Sequence, residues 1–460
     1  MPSIVSSGIG SGLDIAAIVQ GLVAAEGGPA AARINRTESR LQAQLSGFGS
    51  LKSALSDFKE KLENMKDLNK FLTRNATSAD DEVFTATAAE KALPSSYSIE
   101  VVQLAQAQKL TSAVFTDGDA VVGTGTLTIT MAGTAFNIVL TSPNNTLFDV
   151  RDAINSAVGN VGIAASIVNV DGGSHLILTG VNSGLANSAV ITQTGGDGGL
   201  SVLEYDPDNG LNSLTQTTAA QDSLIRVDGL DVTSATNSIT GVIAGVTIDL
   251  VKAAAAAPEI LTIENDKAAV RKTVDEFITA YNVLVDTFDL LTEYDPETKL
   301  AGALQGDATA RGVREQLRRE LSKAVGSVNA SFSTMQEAGI TLDIDGKLSV
   351  DDSDLDAVLD SDFDKFGQLF ANSDGYAVRL FAIVESYLGS GGIIKTRTDG
   401  LDISIKDVVK QREDLEARLV KIEARLSRQF NALDALIGQL TSTSNFLALQ
   451  LNNLPGFTFR

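Results

Sequence analysis

A chain of 460 residues is longer than one core accommodates, since single cores stop growing at about 250 to 300 residues, so several domains are expected. The formal net charge of -22 and pI of about 4.4 would repel a phosphate backbone, which argues against nucleic acid and disfavours anionic membrane surfaces. Composition is globular, with 43% hydrophobic and 20% charged residues, and the lack of any Cys together with a single His leaves no disulfide, thiolate metal site or thiol nucleophile.

In chain order, residues 6 to 26 read SSGIGSGLDIAAIVQGLVAAE. A glycine-rich loop opening a helix can hold a phosphate, but Gly8, Gly10 and Gly12 lack the dinucleotide spacing and no strand has room to precede them. A helix is expected instead. Ile15, Ile18, Val19, Leu22 and Val23 recur at i, i+3, i+4, i+7 and i+8, with Ala16, Ala17, Gln20, Gly21 and Ala24 opposite, and Ser11 or Asp14 is placed to cap it. No Lys or Arg precedes Arg33, so a basic secretory n-region is missing, and LDIAAIVQGLVAA reads as too short and interrupted to span a bilayer. No membrane insertion is expected. Residues 1–40 are assigned to this N-terminal helix and 41–74 to a first bundle helix, whose seam is Leu41, Leu45, Phe48, Leu51, Leu55, Phe58, Leu62 and Met65.

Residues 75–265 alternate at period two in runs such as SYSIEVVQL, GTLTITMAGTAFNIVL, SHLILTG and GVTIDLV, separated by Gly, Asn, Asp and Ser clusters. This is an antiparallel β-rich region with one short helix near Leu147 to Ala157. TITMAGTAFNIVL leading to VGIAASIV parallels IRVDGLDVT leading to AGVTIDLV, which points to one or two small modules, split near 115 and 220. From Asn75 to Asn265 five basic residues stand against twenty acidic ones, so about -15 of the charge sits here.

Residues 266–428 return to helical spacing. A third seam runs Val270, Val274, Phe277, Tyr281, Leu284, Phe288 and Leu291; further helices are expected at about 307 to 325, capped by Asp307, and at about 353 to 388, with Phe363, Phe366, Leu369 and Phe370 on one face. GITLDIDGKLSVD between them reads as a hairpin at 339–350 with a two-residue primed turn at Asp345-Gly346. From about 403 a long helix carries the seam Leu415, Leu419, Ile422, Leu426, Phe430, Leu433, Ile437 and Leu440, expected to partner the Leu41 to Met65 seam.

Nothing along the chain assembles into a catalytic, cofactor or metal site. His175 sits in an ordinary strand with no G-x-S-x-G elbow, and no P-loop occurs. The aspartates at 343, 345, 351, 352, 354 and 356 fail EF-hand spacing, because Gly346 stands at loop position four and Lys347 at a ligand position. A hairpin turn and a helix N-terminus account for these acids, and a turn accounts for Asp206, Asp208 and Asn209.

The anomaly is at the ends. Residues 1 to 32 carry only Asp14 and Glu26, and 429 to 459 only Asp434. Leu436, Leu440, Phe446, Leu447, Leu449, Leu451 and Leu454 have almost no charged companions. Apolar stripes on neutral polar backgrounds are built to be surrounded by other helices; the alternative is that the two ends pair with each other inside a monomer, which would leave a flank of each helix wet and apolar.

Three stretches carry a resemblance: SGIGSGLDIAAIVQGLVAAEGGPAAARI, ITLDIDGKLSVDDSDLDAVL with FGQLF, and DLEARLVKIEARLSRQFNALDALIGQLTSTSNFLALQL. Together they resemble the bacterial flagellar filament-capping family, also called hook-associated protein 2, and LFDVRDAINSAVGNVGIAASIV resembles a module of flagellin-like proteins. The resemblance implies an α+β multidomain protein, with terminal coiled-coil helices forming a leg, an antiparallel helical bundle, and an inserted β-rich head that forms a plate. It implies a homo-oligomer of four to six subunits, secreted uncleaved through flagellar type III export to the extracellular filament tip, with a chaperone engaging the C-terminal region. Flagellin and the hook-filament junction proteins are the implied partners. Filament and oligomer contacts would fall at Ile15, Ile18, Val19, Leu22, Val23, Leu436, Leu440, Phe446, Leu449, Leu451 and Leu454. No cofactor, metal or catalytic residue is implied. The alternative is an adhesin binding host or environmental glycans through the β-rich head, for which six Tyr and no Trp give little stacking surface.

Overall fold

The computed structural model describes residues 11–297, 299–328 and 330–452. The protein is an α+β chain of two compact units: the two ends of the chain, up to Leu68 and from Lys272 onward, make one, and Asn69–Arg271 make the other. Its helices are α1 (Ile15–Met65), α2 (Leu147–Ser156), α3 (Lys267–Thr292), α4 (Ala308–Leu321), α5 (Asp352–Ser361), α6 (Phe363–Phe366), α7 (Gln368–Ala371), α8 (Tyr376–Leu388) and α9 (Ile393–Asn452).

The helical unit forms because heptad seams from distant parts of the chain share one core. Phe48, Leu51, Leu55, Phe58 and Leu62 of α1 are buried, as are Val274, Phe277, Leu284 and Phe288 of α3. Phe58 lies 5.7 Å from both Phe277 and Tyr281, and Phe370 lies 6.0 Å from Phe277 and 5.6 Å from Phe366. Burial in this cluster pushes the Tyr281 hydroxyl up to about 12. Arg379 of α8 donates to the carbonyls of Glu320 at 3.2 Å and Lys323 at 3.1 Å, which satisfies the open C-terminal end of α4.

Several expectations need correction here. α1 is continuous across residue 40, passing through Gly27, Gly28 and Pro29, so no boundary separates a leg helix from a first bundle helix. The expected 353 to 388 helix is four pieces, broken at Asp362, Gly367 and the Asn372–Gly375 turn. Phe363, Phe366, Leu369 and Phe370 are buried across those breaks rather than along one helix. α9 starts ten residues earlier than expected, directly after the glycines at 389, 391 and 392, because Ile394 and Leu401 extend its buried face upstream.

The hairpin pairs Ile340–Leu342 with Leu348–Val350. Its turn is not the two-residue primed type: Gly346 N donates to Asp343 O at 3.2 Å and only Gly346 has positive φ, +86°. That is a type I turn closed by a left-handed glycine. Asn282 of α3 brackets Leu348, donating to its carbonyl and accepting from its N–H, both at 2.8 Å.

The β unit holds two cores. In the first, a five-stranded antiparallel sheet runs Arg74–Ser78, Glu259–Asn265, Ser95–Gln103, Ser223–Val227, Leu230–Ser234, and a three-stranded sheet runs Ser238–Thr240, Val246–Leu250, Phe84–Ala88. They bury Phe84, Ile99, Val101, Ile225, Ile248 and Leu261. In the second, the order is Leu211–Asn212, Tyr205–Asp206, Val190–Thr194, Gly125–Met131, Thr134–Leu140, with a four-stranded sheet Thr215–Thr218, Lys109–Thr111, Gly173–Gly180, Ile163–Val170 and α2. This core contains Leu127, Ile129, Leu147, Val150, Leu176 and Ile191. In both halves of the repeat, the hairpin lies in the five-stranded sheet and the following strand crosses to the other sheet. Asn155 donates to Ala165 O and accepts from Ala165 N, both at 2.8 Å, which covers part of the free edge of the Ile163–Val170 strand.

Candidate functional site

The terminal helices α1 and α9 run antiparallel in a register fixed by named contacts. Arg412 Nη2 donates to Asn35 Oδ1 at 3.0 Å and pairs with Glu38. Further along, Glu26 and Arg418 approach to 3.9 Å on the exposed surface, a pair worth little in solvent. Beside them Gly27 meets Leu419: a Cβ built on Gly27 would lie 2.6 Å from Leu419 Cδ1, so the missing side chain is what lets the leucine seat. At the far end Ser11 N and Ser11 Oγ donate to Asp434 Oδ1 at 2.7 and 2.5 Å. Asp14 caps α1, accepting from Ala17 N at 2.9 Å.

This register overturns the expected pairing of seams. The Leu415 to Ile437 face of α9 lies along the N-terminal part of α1, residues 11 to 38, whereas Leu41 to Met65 pack in the bundle with α3 and α8. Leu415, Leu419, Ile422, Leu426, Phe430 and Ile437 are half-buried. Leu433 is not in the seam; it is 46% exposed, and Asp434, 8% exposed, occupies the inward position because it receives Ser11. Asp434 is the one charge in the C-terminal stretch, and its role was invisible in a single-residue reading of charge.

The predicted contact residues divide into two groups. Ile15 and Val19 are buried and Ile18 and Val23 are half-buried, while Leu22 faces solvent. Leu436, Leu440, Phe446, Leu447, Leu449 and Leu451 are all more than half exposed. Every residue from Gln439 to Leu451 is exposed and none is charged. α9 therefore continues beyond its paired stretch as a bare apolar helix. Leu454 lies outside the described residues. By length and composition alone two helical stretches, one within Ile15–Met65 and one within Phe363–Leu451, contain an 18-residue window apolar enough to cross a membrane; in the first, Ile15 and Val19 face protein.

His175 and three of the turn and cap aspartates have hydrogen-bond partners in the fold. His175 Nδ1 lies 2.8 Å from Ser112 O inside the β unit. Asp343 accepts from Lys347 N in the hairpin turn, and Asp351 caps α5 by accepting from Ser353 N and Asp354 N. Asp206 accepts from Asn209 Nδ2 at 2.7 Å within its turn.

Comparison with known proteins matches two family descriptions: flagellar hook-associated protein 2 N-terminus over residues 11–108 and flagellar hook-associated protein 2 C-terminus over residues 220–442. The interval between them corresponds to the second β core. The chain is 36% identical to the A-type flagellar hook-associated protein 2 of Pseudomonas aeruginosa, covering 98% of each chain. It is 33% identical to flagellar hook-associated protein 2 of Escherichia coli strain K12, covering 98% of this chain and 99% of the relative. The crystal structure of the flagellar cap protein FliD D1-D2-D3 domains from Escherichia coli superposes with a TM-score of 0.69 at 33% identity, covering 77% of this chain and 99% of that one. By sequence and by fold, the chain belongs to the flagellar hook-associated protein 2 family.

Proposed function

We propose that this protein is the capping protein of a bacterial flagellar filament: a homo-oligomer at the distal tip that retains exported flagellin and promotes its addition to the lattice. The role is structural, not catalytic. The observation that carries it is the charge-free, exposed end of α9 from Gln439 to Leu451, an apolar helix that a solitary soluble subunit has no use for but that a helical lattice can bury. The relatives' names and the description of the Escherichia coli structure as a flagellar cap support the same reading. In this reading the α1·α9 pair is the leg, Leu22, Leu436, Leu440, Phe446, Leu449 and Leu451 dock onto the filament end, and the β unit forms the plate. Flagellin, the hook-filament junction proteins and an export chaperone acting on the C-terminal region are the partners, and the working location is extracellular, at the filament tip. The comparisons lend the adhesin alternative no support.

The test is complementation. In cells whose own gene is deleted, the full chain should restore filaments, and a chain ending at residue 438 should leave them short or missing, with unpolymerised flagellin in the medium. Filaments of normal length from the truncated chain would overturn the proposal.

A further inference from the structure

One cationic groove stands out on this acidic chain. Between Asp307 and Lys323 there are five basic residues against three acidic ones, in a protein of net charge -22. Arg311, Arg314 and Arg318 line a cavity of about 340 Å³ along one side of α4, with the single carboxylate of Glu315 between them and Asp307 at one end. Their i, i+3, i+7 spacing sets three guanidinium groups over about 10 Å of helix. Arg314 pairs with Asp289 at 2.6 Å. Arg318 reaches only a carbonyl, Ile344 O, at 3.5 Å, and Arg311 has no ion-pair partner among the described residues. At the groove's end Asp307 is already held by Arg397 at 3.1 Å. Two of the three arginines therefore keep planar donor forks free for carboxylates from elsewhere.

The β unit supplies the complement. Its turn Asp80-Asp81-Glu82 is the longest acidic run in that unit. Glu82 N donates to Asp80 Oδ1 at 2.9 Å, which shapes the turn, and Asp81 and Glu82 are exposed and unpaired among the described residues.

We propose that the Arg311–Arg314–Arg318 groove of one copy receives the Asp80–Glu82 turn of a second copy. The contact is head-to-tail, since groove and turn are different surfaces of the chain, and repetition of such a contact closes a ring when the rotation allows. Charge complementarity of this kind fixes partner and register and speeds encounter. The inference rests on the homo-oligomer reading above.

A charge swap tests it. Variant R311E/R318E carries an acidic groove, and D81K/E82K carries a basic turn. Sedimentation velocity of the full chain at about 50 mM salt should show each variant alone associating at least tenfold more weakly than the unmodified protein. An equimolar mixture should recover association, because each variant's groove then matches the other's turn. Raising salt to about 500 mM, where screening acts within a few ångströms, should weaken the unmodified assembly and the mixture alike. Circular dichroism melts that match the unmodified protein show that both variants fold. If the unmodified chain assembles but neither variant weakens it, or the mixture is no better than its parts, this contact is wrong while the oligomer stands. If the unmodified chain stays monomeric, the oligomer reading falls and this one with it.

Discussion

Replacing Leu440, Leu447 and Leu451 with Gln separates docking from folding. These side chains are 62%, 53% and 68% exposed, so little packing is lost within the subunit, and Gln propagates a helix nearly as well as Leu. Each exposed substitution should shift stability by no more than about 0.5 kcal/mol. Docking is another matter. Fully burying a leucine is worth about 1.5 to 3 kcal/mol; with half to two-thirds of the surface still to be buried, each residue offers about 1 to 2 kcal/mol. Ordering a leucine takes back about 0.5 to 1 kcal/mol, leaving about 1.5 to 3 kcal/mol for the three, or a loss of about 10- to 100-fold in affinity at 1.4 kcal/mol per tenfold. The assays are a thermal melt of the purified variant, filament length by electron microscopy, and an immunoblot for flagellin in the medium. The melt should match the unmodified protein while filaments shorten and free flagellin rises. Normal filaments would refute the reasoning, and so would a melt lowered by several degrees, since it would mean that these residues hold the subunit together.

Other consequences follow from single residues. Asp434→Ala removes the acceptor of both Ser11 donors; amide exchange in residues 15 to 19 should speed by about 5- to 150-fold, the effect of about 1 to 3 kcal/mol for a part-buried group left unsatisfied, and unchanged protection would contradict the clasp. Gly49→Ala, where a Cβ meets nothing within 4 Å, should stabilise α1 by up to about 1 kcal/mol, whereas Gly27→Val should lower the melting temperature by displacing Leu419; equal effects would deny the close approach. Hydrogen bonds from Ser327 and Gly326 hold the Asp374 carboxyl below the usual carboxylate range. A depressed folded-state value gives stability that is present above the unfolded value and lost as pH falls through the folded one. Acid titration of unfolding should therefore show a shallower loss on the acidic side of the carboxylate range in Asp374→Asn, and an identical slope would count against it.

Much of this architecture was legible because its signals are local. The heptads of α1, α3 and α9 read directly as seams, since period 3.5 can be satisfied only by burying that stripe against another helix. The two small β modules were visible as parallel hairpin-then-strand patterns. What escaped was long-range. Arg74–Ser78 pairs with Glu259–Asn265 across nearly the whole β unit, and no periodicity announces which strand neighbours which. The same limit misassigned the partner of the Leu415 to Ile437 seam, because apolar spacing is equally content with either end of α1 until Ser11 and Arg412 fix the register. Asp434 was noticed only as a solitary charge. No spacing rule marks Gly27, although Leu419 fills the space it leaves. The exposed terminal residues were legible for a different reason: an apolar stripe with no charge opposite it is unusual on any solvated helix.

The absence of cysteine from all 460 residues permits the most direct test of the claim that the α9 end docks onto the filament. A single Cys at Leu447, carrying a photoactivatable cross-linker, should join the protein to flagellin in filament-tip preparations. A Cys at Gln411, equally on α9 but within the stretch paired to α1, should not. Cross-links from position 447 that stay within the subunit, or that reach flagellin no more often than those from 411, would contradict the account.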